Sequence, residues 1–335
     1  MAKIYGIDLG TANTLICTKS RGIILRAPSV VAINDSTRDI VALGMAAKNM
    51  LGKTPEGITA FRPLRGGVIA EYEVASKMVR GYLEVIGAFS LFSRPSVIVC
   101  IPHEATDVEK RALEDAIFEA GARSVALIDE PLAAAIGTGL RVGGAKGSMI
   151  VDIGGGSTEI AVISHGGTVS AGSVRVAGDQ LDEAIVEHLR RHRDILIGSA
   201  TAEDLKRGYG SAHPAFDRGE CTVAGRNLLS GLGTNITVSS GEIREAVSEP
   251  LGRIIDAIKN TLESTPPELA ADIYDYGVML TGGGAMLRGM DRLISERTGI
   301  RVTVAKRPLE AVCMGISRVI ESEGQMGDLL RYRGR

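Results

Sequence analysis

Tryptophan is absent from this sequence, and aromatic residues, cysteines and net charge are all scarce. Aromatic residues make up 4% of the 335 residues, and the formal net charge is −2. Because there is neither a net positive charge nor a local block of lysines and arginines, a nucleic-acid partner is not expected. The four cysteines, Cys17, Cys100, Cys221 and Cys313, are far apart and form no CxxC pair, so the sequence predicts buried thiols in a reducing cytoplasm.

Long apolar segments are also missing. No stretch reaches the roughly 18 apolar residues that a membrane span needs, and the chain begins with strand-like KIYGIDLG rather than the apolar region of a signal peptide. Apolar residues make up 44% and charged residues 23%, which is typical of a soluble globular protein. The length exceeds what one hydrophobic core usually supports, so two or more lobes are expected.

The sequence does contain glycine-rich turns that follow short apolar strands. The first is GIDLGTANT, residues 6–14. β-branched and apolar residues come after it, which indicates a hairpin rather than the helix N-terminus that a dinucleotide-binding or Walker-type loop requires. A phosphate at this turn would be held by backbone N–H groups and small hydroxyls.

The same pattern returns at residue 148, in SMIVDIGGGSTEIAVIS, where Asp152 takes the place of Asp8. The chain is therefore predicted to have two halves with related cores, each beginning with an aspartate-glycine hairpin. Apolar runs such as PSVIVCIP alternate with amphipathic helices, which favours largely parallel, helix-covered sheets. A third glycine turn, LTGGGAML at residues 280–287, follows a strand and precedes a helix.

Several helix boundaries follow from local signals. Thr106 and Glu109 form a capping box that begins one helix, and Gly121 is placed to end it. Ser239 with Glu242 begins a long helix, which Pro250 is expected to kink. The last residues, 327–335, are expected to be loosely held.

The paired hairpins predict a nucleotide site in a cleft between the two halves. Asp8 and Asp152 would hold Mg²⁺, through its water ligands because this ion gives up water reluctantly. The residues expected to surround the phosphates are Gly10, Thr11, Ala12, Asn13 and Thr14 on one side, and Gly154, Gly155 and Gly156 on the other. A side chain at the second set would block the approach of the backbone. His188 and His192 also have a metal-compatible spacing, but their charged surroundings favour a solvated helix face.

Together these motifs resemble the superfamily that contains actin, the sugar kinases and the heat-shock chaperone ATPases. In order, they match a first phosphate loop (GIDLGTANT), a connecting segment (LIDEPLAAAIGTG), a second phosphate loop (VDIGGGSTE) and an adenosine motif (LTGGGAML). Within the superfamily, the sequence resembles the MreB/Mbl family of bacterial actin-like proteins nearly from end to end. Stretches that carry this resemblance include RPLRGGVIA, IGSATAEDLKRGYGSA and STPPELAADIYDYG.

The resemblance implies an α/β, actin-like ATPase fold, with two related lobes that each combine a helix-covered mixed sheet and a smaller inserted subdomain. The nucleotide would lie in the cleft between the lobes. The implied subdomains are IA (1–32, 75–140 and 312–335), IB (33–74), IIA (141–180 and 247–311) and IIB (181–246).

The resemblance also assigns roles to single residues. Glu130 is placed where the family has the carboxylate that positions or polarises the attacking water, and Thr158 is placed to help. With Asp8 and Asp152 these residues form the expected catalytic set. The residues expected around the ribose and adenine are Glu203, Lys206, Arg207, Gly282, Gly283, Gly284 and Ala285. The sequence departs from the family pattern at His103, Glu104, Asp129, Ser157 and Gly208, and Gly208 puts the ribose contacts in doubt.

For function, the resemblance implies an ATP-binding protein with weak ATPase activity, cofactors ATP/ADP and Mg²⁺, and self-assembly into filaments that pair antiparallel. Such filaments lie in the cytoplasm on the inner face of the cytoplasmic membrane and organise cell-wall elongation, which governs rod shape. Phe89, Leu91 and Phe92 would form the membrane-inserting loop; burial of the loop under a helix is the alternative. The implied partners are the protein itself, the membrane surface, RodZ, MreC and the wall-elongation enzymes.

Three other functions compete with this prediction. A chaperone-type ATPase would need a substrate-binding β domain, and a sugar or acetate kinase would need an acceptor pocket with a catalytic aspartate; the sequence offers a candidate for neither. A plasmid-segregating actin-like protein would form filaments without a membrane loop.

Overall fold

The computed structural model describes residues 3–90, 94–322 and 326–334. Up to residue 140, its secondary structure consists of short strands with few helices between them. The strands are β1 (Ile4–Leu9), β2 (Asn13–Thr18), β3 (Gly22–Pro28), β4 (Val31–Asn34), β5 (Ile40–Leu43), β6 (Ile58–Phe61), β7 (Leu64–Arg65), β8 (Val68–Ile69), β9 (Ser96–Ile101) and β10 (Ser124–Asp129). The helices are α1 (Met45–Lys48), α2 (Tyr72–Val85), α3 (Asp107–Glu119) and α4 (Glu130–Thr138).

After residue 140 the order of elements is similar, with more helix. The strands are β11 (Ser148–Ile153), β12 (Thr158–Ser164), β13 (Gly167–Val174), β14 (Ile195–Leu196), β15 (Glu220–Asn227), β16 (Gly233–Ser239), β17 (Val278–Thr281), β18 (Val302–Val304) and β19 (Arg331–Gly334). The helices are α5 (Gly178–Arg193), α6 (Ser199–Tyr209), α7 (Ser240–Ala246), α8 (Ser248–Glu263), α9 (Pro267–Tyr276), α10 (Met290–Thr298) and α11 (Ala311–Glu321).

The two large sheets have the same strand order, which confirms the predicted repeat. The first runs β3-β2-β1-β9-β10, with β19 added at its edge, and the second runs β13-β12-β11-β17-β18. In each sheet a three-stranded antiparallel meander is followed by two parallel strands. This arrangement is the predicted actin-like α/β fold with two related lobes.

Smaller sheets lie beside the two large ones. In the first lobe, β5-β4-β6 form one of these sheets and β7-β8 form a short hairpin; in the second lobe, β14-β15-β16 form a sheet. They lie in the segments expected to be inserted subdomains. The subdomain boundaries given above stay a prediction.

Helices α4 and α11 connect the lobes and pack tightly against each other. A Cβ on Gly137 of α4 would overlap the carbonyl oxygen of Ala311, and one on Gly315 of α11 would overlap that of Ala133. Their apolar side chains share one buried cluster with residues of both large sheets, among them Ile98. Full burial of such aliphatic side chains contributes about 1.5–3 kcal/mol each. The α4–α11 contact is therefore part of the hydrophobic core that holds the two lobes together.

The predicted helix signals are confirmed on α3. The Thr106 hydroxyl accepts a hydrogen bond from the Glu109 N–H, and the Glu109 carboxylate accepts one from the Thr106 N–H. Gly121 follows the helix with φ +108°. The predicted buried thiols hold for Cys17, Cys100 and Cys313, whereas Cys221 is only partly buried.

Two sequence-based expectations are wrong. The long helix after Ser239 is not kinked at Pro250; it is interrupted at Val247, between α7 and α8, and Pro250 lies in the first turn of α8, where its missing N–H is tolerated. The chain end is not loose throughout, because residues 331–334 pair antiparallel with β10 as strand β19. The backbone groups of the β10 edge hold them there.

Candidate functional site

Four carboxylates from different elements lie at the base of the cleft. Asp8 is close to the end of β1 and Asp152 holds the matching place in β11. Glu130 begins α4, and Glu159 lies on β12 directly opposite Asp152 in the antiparallel register. Asp152 and Glu159 are 4% and 1% exposed, whereas Asp8 and Glu130 are half-buried.

Burial disfavours ionisation of all four groups, and repulsion within the cluster adds to it at Asp152 and Glu130. Burial, followed by the charges of Asp8 and Glu159, raises the pKa of Asp152 to about 8. Burial raises the pKa of Asp8 to about 7, although the Cys100 thiol donates to its Oδ1 at 3.5 Å and opposes the shift. The pKa of Glu130 is raised well above its ordinary range by burial and then by Asp152, Glu159 and Asp8. A divalent cation would relieve this repulsion.

The donor chemistry of this cluster fits Mg²⁺, since carboxylate oxygens and water are the ligands this ion prefers. Among the described residues, no three His, Cys, Asp or Glu side chains converge as a direct metal cage. That Asp8 and Asp152 hold the ion through water stays a prediction.

The two predicted phosphate loops have the same turn. The Gly10 N–H donates to the carbonyl oxygen of Asn13 at 3.1 Å, and the Gly154 N–H donates to that of Ser157 at 2.9 Å. These hydrogen bonds close the tips of the β1–β2 and β11–β12 hairpins. The structure therefore places seven of the eight predicted loop residues at two matching hairpin tips, while Thr14 lies in β2, paired with Leu9.

The loop tips also touch each other across the cleft. A Cβ on Gly155 would lie 2.8 Å from Cβ of Ala12, and one on Gly156 would lie 2.6 Å from Oγ1 of Thr11. Only glycine permits this approach. The Thr14 hydroxyl, by contrast, is within 2.8 Å of the Ser29 hydroxyl in the interior.

A third segment, which the sequence analysis did not assign to the site, lies beside the loops. Gly66 and Gly67 form the turn between β7 and β8, and the Gly67 N–H donates to Oγ1 of Thr11 at 3.0 Å. A Cβ on Gly156 would come within 2.7 Å of the Gly66 nitrogen. The signal was the glycine pair in RPLRGGVIA, between two short apolar runs. Glu159 was missed as well; its signal is a carboxylate inside the buried strand STEIAVIS.

Glu130 begins α4 beside the carboxylates, and Thr158 begins β12 directly after the second predicted phosphate loop. Glu130 follows Asp129, whose carboxylate is 3.0 Å from Nδ1 of His103. This contact, with burial opposing it, raises the pKa of His103. Thr158 is fully buried, and its hydroxyl donates to the carbonyl oxygen of Val176 at 2.7 Å. Its lone pairs are left as acceptors.

The residues expected around the adenosine come from α6 and from the third glycine turn. Glu203 and Arg207 share one face of α6, and the Arg207 side chain is 71% exposed. The Lys206 ammonium is engaged by the carbonyl oxygen of Gly178 at 2.6 Å and by Asp182 at 2.8 Å, so it connects α6 with α5.

The third glycine turn borders the carboxylate cluster. A Cβ on Gly282, which has φ +82°, would overlap Oδ1 of Asp152. Gly283 follows it, and Gly284 and Ala285 begin a short 3₁₀ turn, Gly284–Met286, before α10. The predicted adenosine motif and Asp152, the predicted metal-site aspartate, are therefore neighbours.

Of the predicted membrane loop, Leu91 and Phe92 lie outside the described residues. The Phe89 ring is partly buried, packs against Gly121 and lies 5.8 Å from the Arg80 guanidinium. A membrane contact by these residues stays a prediction. In the described residues, no helix is both long and apolar enough to cross a bilayer.

Comparison with curated proteins gives relatives that cover nearly the whole chain. The cell shape-determining protein MreB of Escherichia coli (strain K12) is 51% identical over 321 residues, which are 94% of this chain and 92% of the relative. The cell shape-determining protein Mbl of Bacillus subtilis (strain 168) is 43% identical over 321 residues, 96% of each chain.

Solved structures agree with these relatives. MreB5 of Spiroplasma citri, in crystal structures bound to ADP and to AMPPNP, is 33% identical, with TM-scores of 0.92 and 0.93 and coverage of 98% of this chain and 99% and 98% of theirs. A MamK double helical filament shares the fold, with a TM-score of 0.80 at 22% identity over 95% of this chain and 98% of the MamK chain.

A model of the family described as MreB/Mbl protein matches residues 2–328. The sequence motifs, the two matched lobes and the facing hairpins all agree with that match. The chain therefore belongs to the MreB/Mbl family.

Proposed function

We propose that the protein is a cytoskeletal ATPase that binds Mg²⁺ and ATP between its lobes and assembles into membrane-associated filaments that organise cell-wall elongation. The observation that carries the proposal is the pair of facing hairpins, with Asp8 and Asp152 at matching positions and Glu130 beside them. Relatives named for cell shape and a relative crystallised with ADP and AMPPNP support it.

In this proposal the hairpin tips bind and orient the phosphates. Their backbone N–H groups face negative charge at fixed positions, which stabilises the charge that develops during phosphoryl transfer. Mg²⁺, when bound, would neutralise phosphate charge and carry the waters that Asp8 and Asp152 hold.

Glu130 is the proposed general base. Burial is the largest cause of its raised pKa and would persist with Mg²⁺ bound, so a deprotonated Glu130 would be a stronger proton acceptor than an exposed glutamate. It would accept the proton of the attacking water, while the lone pairs of Thr158 orient that water.

Filament and membrane would be linked through many weak contacts. Each apolar side chain of the predicted loop contributes at most about 1.5–3 kcal/mol when fully buried, and a polymer multiplies such contacts. By resemblance, the filaments would pair antiparallel and act with RodZ, MreC and the wall-elongation enzymes.

The test combines nucleotide binding with assembly on lipid. We expect the parent protein to bind Mg²⁺-ATP in calorimetry, and to form filaments on a lipid monolayer with ATP in electron microscopy. Asp8→Ala with Asp152→Ala should abolish both, whereas Asp204→Ala, an exposed aspartate of α6, should change neither. Leu91→Ser with Phe92→Ser should still bind Mg²⁺-ATP but should no longer attach to the lipid monolayer. A parent protein that ignores ATP would overturn the proposal, and filaments indifferent to lipid would instead favour a plasmid-segregating type of actin-like protein.

A further inference from the structure

Two ion pairs join the small subdomain of the first lobe to helices of the second lobe. Lys48, at the end of α1, donates from Nζ to Oε2 of Glu203 on α6 at 2.8 Å. Arg62, just after β6, donates from a guanidinium nitrogen to Oδ1 of Asp179 in the first turn of α5. All four side chains are only about a quarter exposed, so both pairs lie within the contact between the lobes.

The rim of the second lobe is acidic where these cations meet it. Asp179, Asp182 and Glu203 come together there, and the Lys206 ammonium is engaged by Asp182. Burial raises the pKa of Asp182 to about 6, Lys206 opposes the shift, and Glu203 and Asp179 add to it. The cations closest to Glu203 and Asp179, Lys48 and Arg62, come from the opposite lobe.

The contact with Lys48 also fixes how Glu203 is presented. Lys48 holds Oε2, and no hydrogen bond from a described residue reaches Oε1, whose nearest cation is an Arg207 nitrogen at 3.9 Å. Burial opposes ionisation of Glu203, yet Lys48, and Arg62 at longer range, keep its pKa below the ordinary value. Glu203 is therefore an ionised carboxylate with one oxygen held and one available as an acceptor.

Ribose hydroxyls are the donors that such an acceptor fits. We propose that Lys48 is a positioning residue of the nucleotide site, contributed by the opposite lobe, which orients Glu203 toward the ribose hydroxyls of a bound adenine nucleotide. This inference rests on the proposed function and on the expectation from the sequence that Glu203 lies beside the ribose. The Arg62–Asp179 pair lies beside it without contacting Glu203, and in this proposal both pairs slow the release of the nucleotide.

The experiment compares ADP with 2′-deoxy-ADP and 3′-deoxy-ADP, with Mg²⁺ present, and measures affinity by calorimetry and release by stopped flow. The variants are Lys48→Ala, Lys48→Arg, Arg62→Ala and, as the matched control, Lys53→Ala, an exposed lysine in the turn after α1. Thermal unfolding of each variant verifies that it folds.

We expect the parent to prefer ADP to at least one deoxy analogue by about 3–10-fold, the range for one hydrogen bond. Lys48→Ala should reduce this preference to nearly one and speed ADP release several-fold, and Lys48→Arg should restore both. Arg62→Ala should speed release by a similar factor and keep the preference, because it leaves the Lys48–Glu203 contact in place. Lys53→Ala should match the parent.

Two results would overturn the inference while leaving nucleotide binding intact. One is a Lys48→Ala variant with the parent's sugar preference and release rate. The other is a Lys48→Arg variant that behaves like Lys48→Ala, since the ion pair would then not be what matters. A parent protein that binds none of the three nucleotides would instead overturn the proposed function, and this inference with it.

Discussion

At the residue scale, the site depends on carboxylates whose surroundings disfavour ionisation. Glu130 and Asp152 lie among other carboxylates, and burial plus repulsion raises the pKa of both. Perturbed groups of this kind cluster where chemistry is done. Asp8 and Asp152 could be predicted because each directly precedes a conspicuous glycine turn. Glu159 was missed although it is a carboxylate inside a buried strand, and Lys48 could not be predicted, since its partner Glu203 is remote in sequence.

The role of Glu130 gives the first prediction at this scale. Glu130→Gln should lower kcat for ATP hydrolysis by about 100-fold, because an amide cannot accept the proton of the attacking water. The Kd for Mg²⁺-ATP should change little, as Gln keeps the size of the side chain. Phosphate release and calorimetry measure the two quantities. Glu104→Gln, an exposed glutamate close by, is the matched control, and equal turnover in both variants would exclude Glu130 as the base.

At the scale of elements, the sequence predicted those features that depend only on residues close together in the chain. The capping box of α3 and the two phosphate hairpins follow from neighbouring residues alone, and the structure shows both. The interruption at Val247 lies one turn before the proline that was expected to kink the helix. Pro250 has no N–H to bond the carbonyl of Ala246, so α7 ends there and α8 begins with Pro250 in its first turn. Strand β19 was missed because it depends on the free edge of β10, which lies about 200 residues earlier in the chain.

The capping box of α3 allows a test of one element by itself. Thr106→Ala should lower the free energy of unfolding by about 1 kcal/mol, because the Glu109 N–H loses its acceptor at the helix start. Urea denaturation measures the change. Thr234→Ala, an exposed threonine of β16 that caps no helix, should have a smaller effect. Equal losses in the two variants would show that the cap contributes nothing specific.

At the scale of the whole molecule, the two sheets with one strand order place two aspartates face to face. The repeat could be predicted from the sequence, and so could the cleft, since similar hairpins from similar lobes present similar tips. The cross-cleft pairs Lys48–Glu203 and Arg62–Asp179 could not. Their partners are far apart in sequence and meet only once both lobes are folded and docked.

The buried aspartates give the molecule a pH dependence of a definite sign. Without nucleotide, the pKa values of Asp8 and Asp152 are raised to about 7 and about 8, so the folded protein binds more protons than the unfolded chain at neutral pH. Its stability should therefore fall as pH rises from roughly 5 to 8. Mg²⁺ with ADP should reduce this fall, because a bound cation favours the ionised carboxylates.

Thermal unfolding at pH 6 and pH 8, with and without Mg²⁺-ADP, tests this expectation. Asp152→Asn should remove part of the dependence in the free protein, since the amide does not titrate. A free protein that becomes more stable between these pH values would contradict the sign of both shifts.

The glycine contact between α4 and α11 has a consequence for how the lobes can move. At Gly137 and Gly315 each backbone meets the other with no side chain between them, so neither helix can slide along its partner without steric overlap. Swivelling about the crossing point is then the motion left to the lobes. A change at the phosphates would then rotate one lobe relative to the other. In a filament built from such subunits, this rotation would change the helical twist.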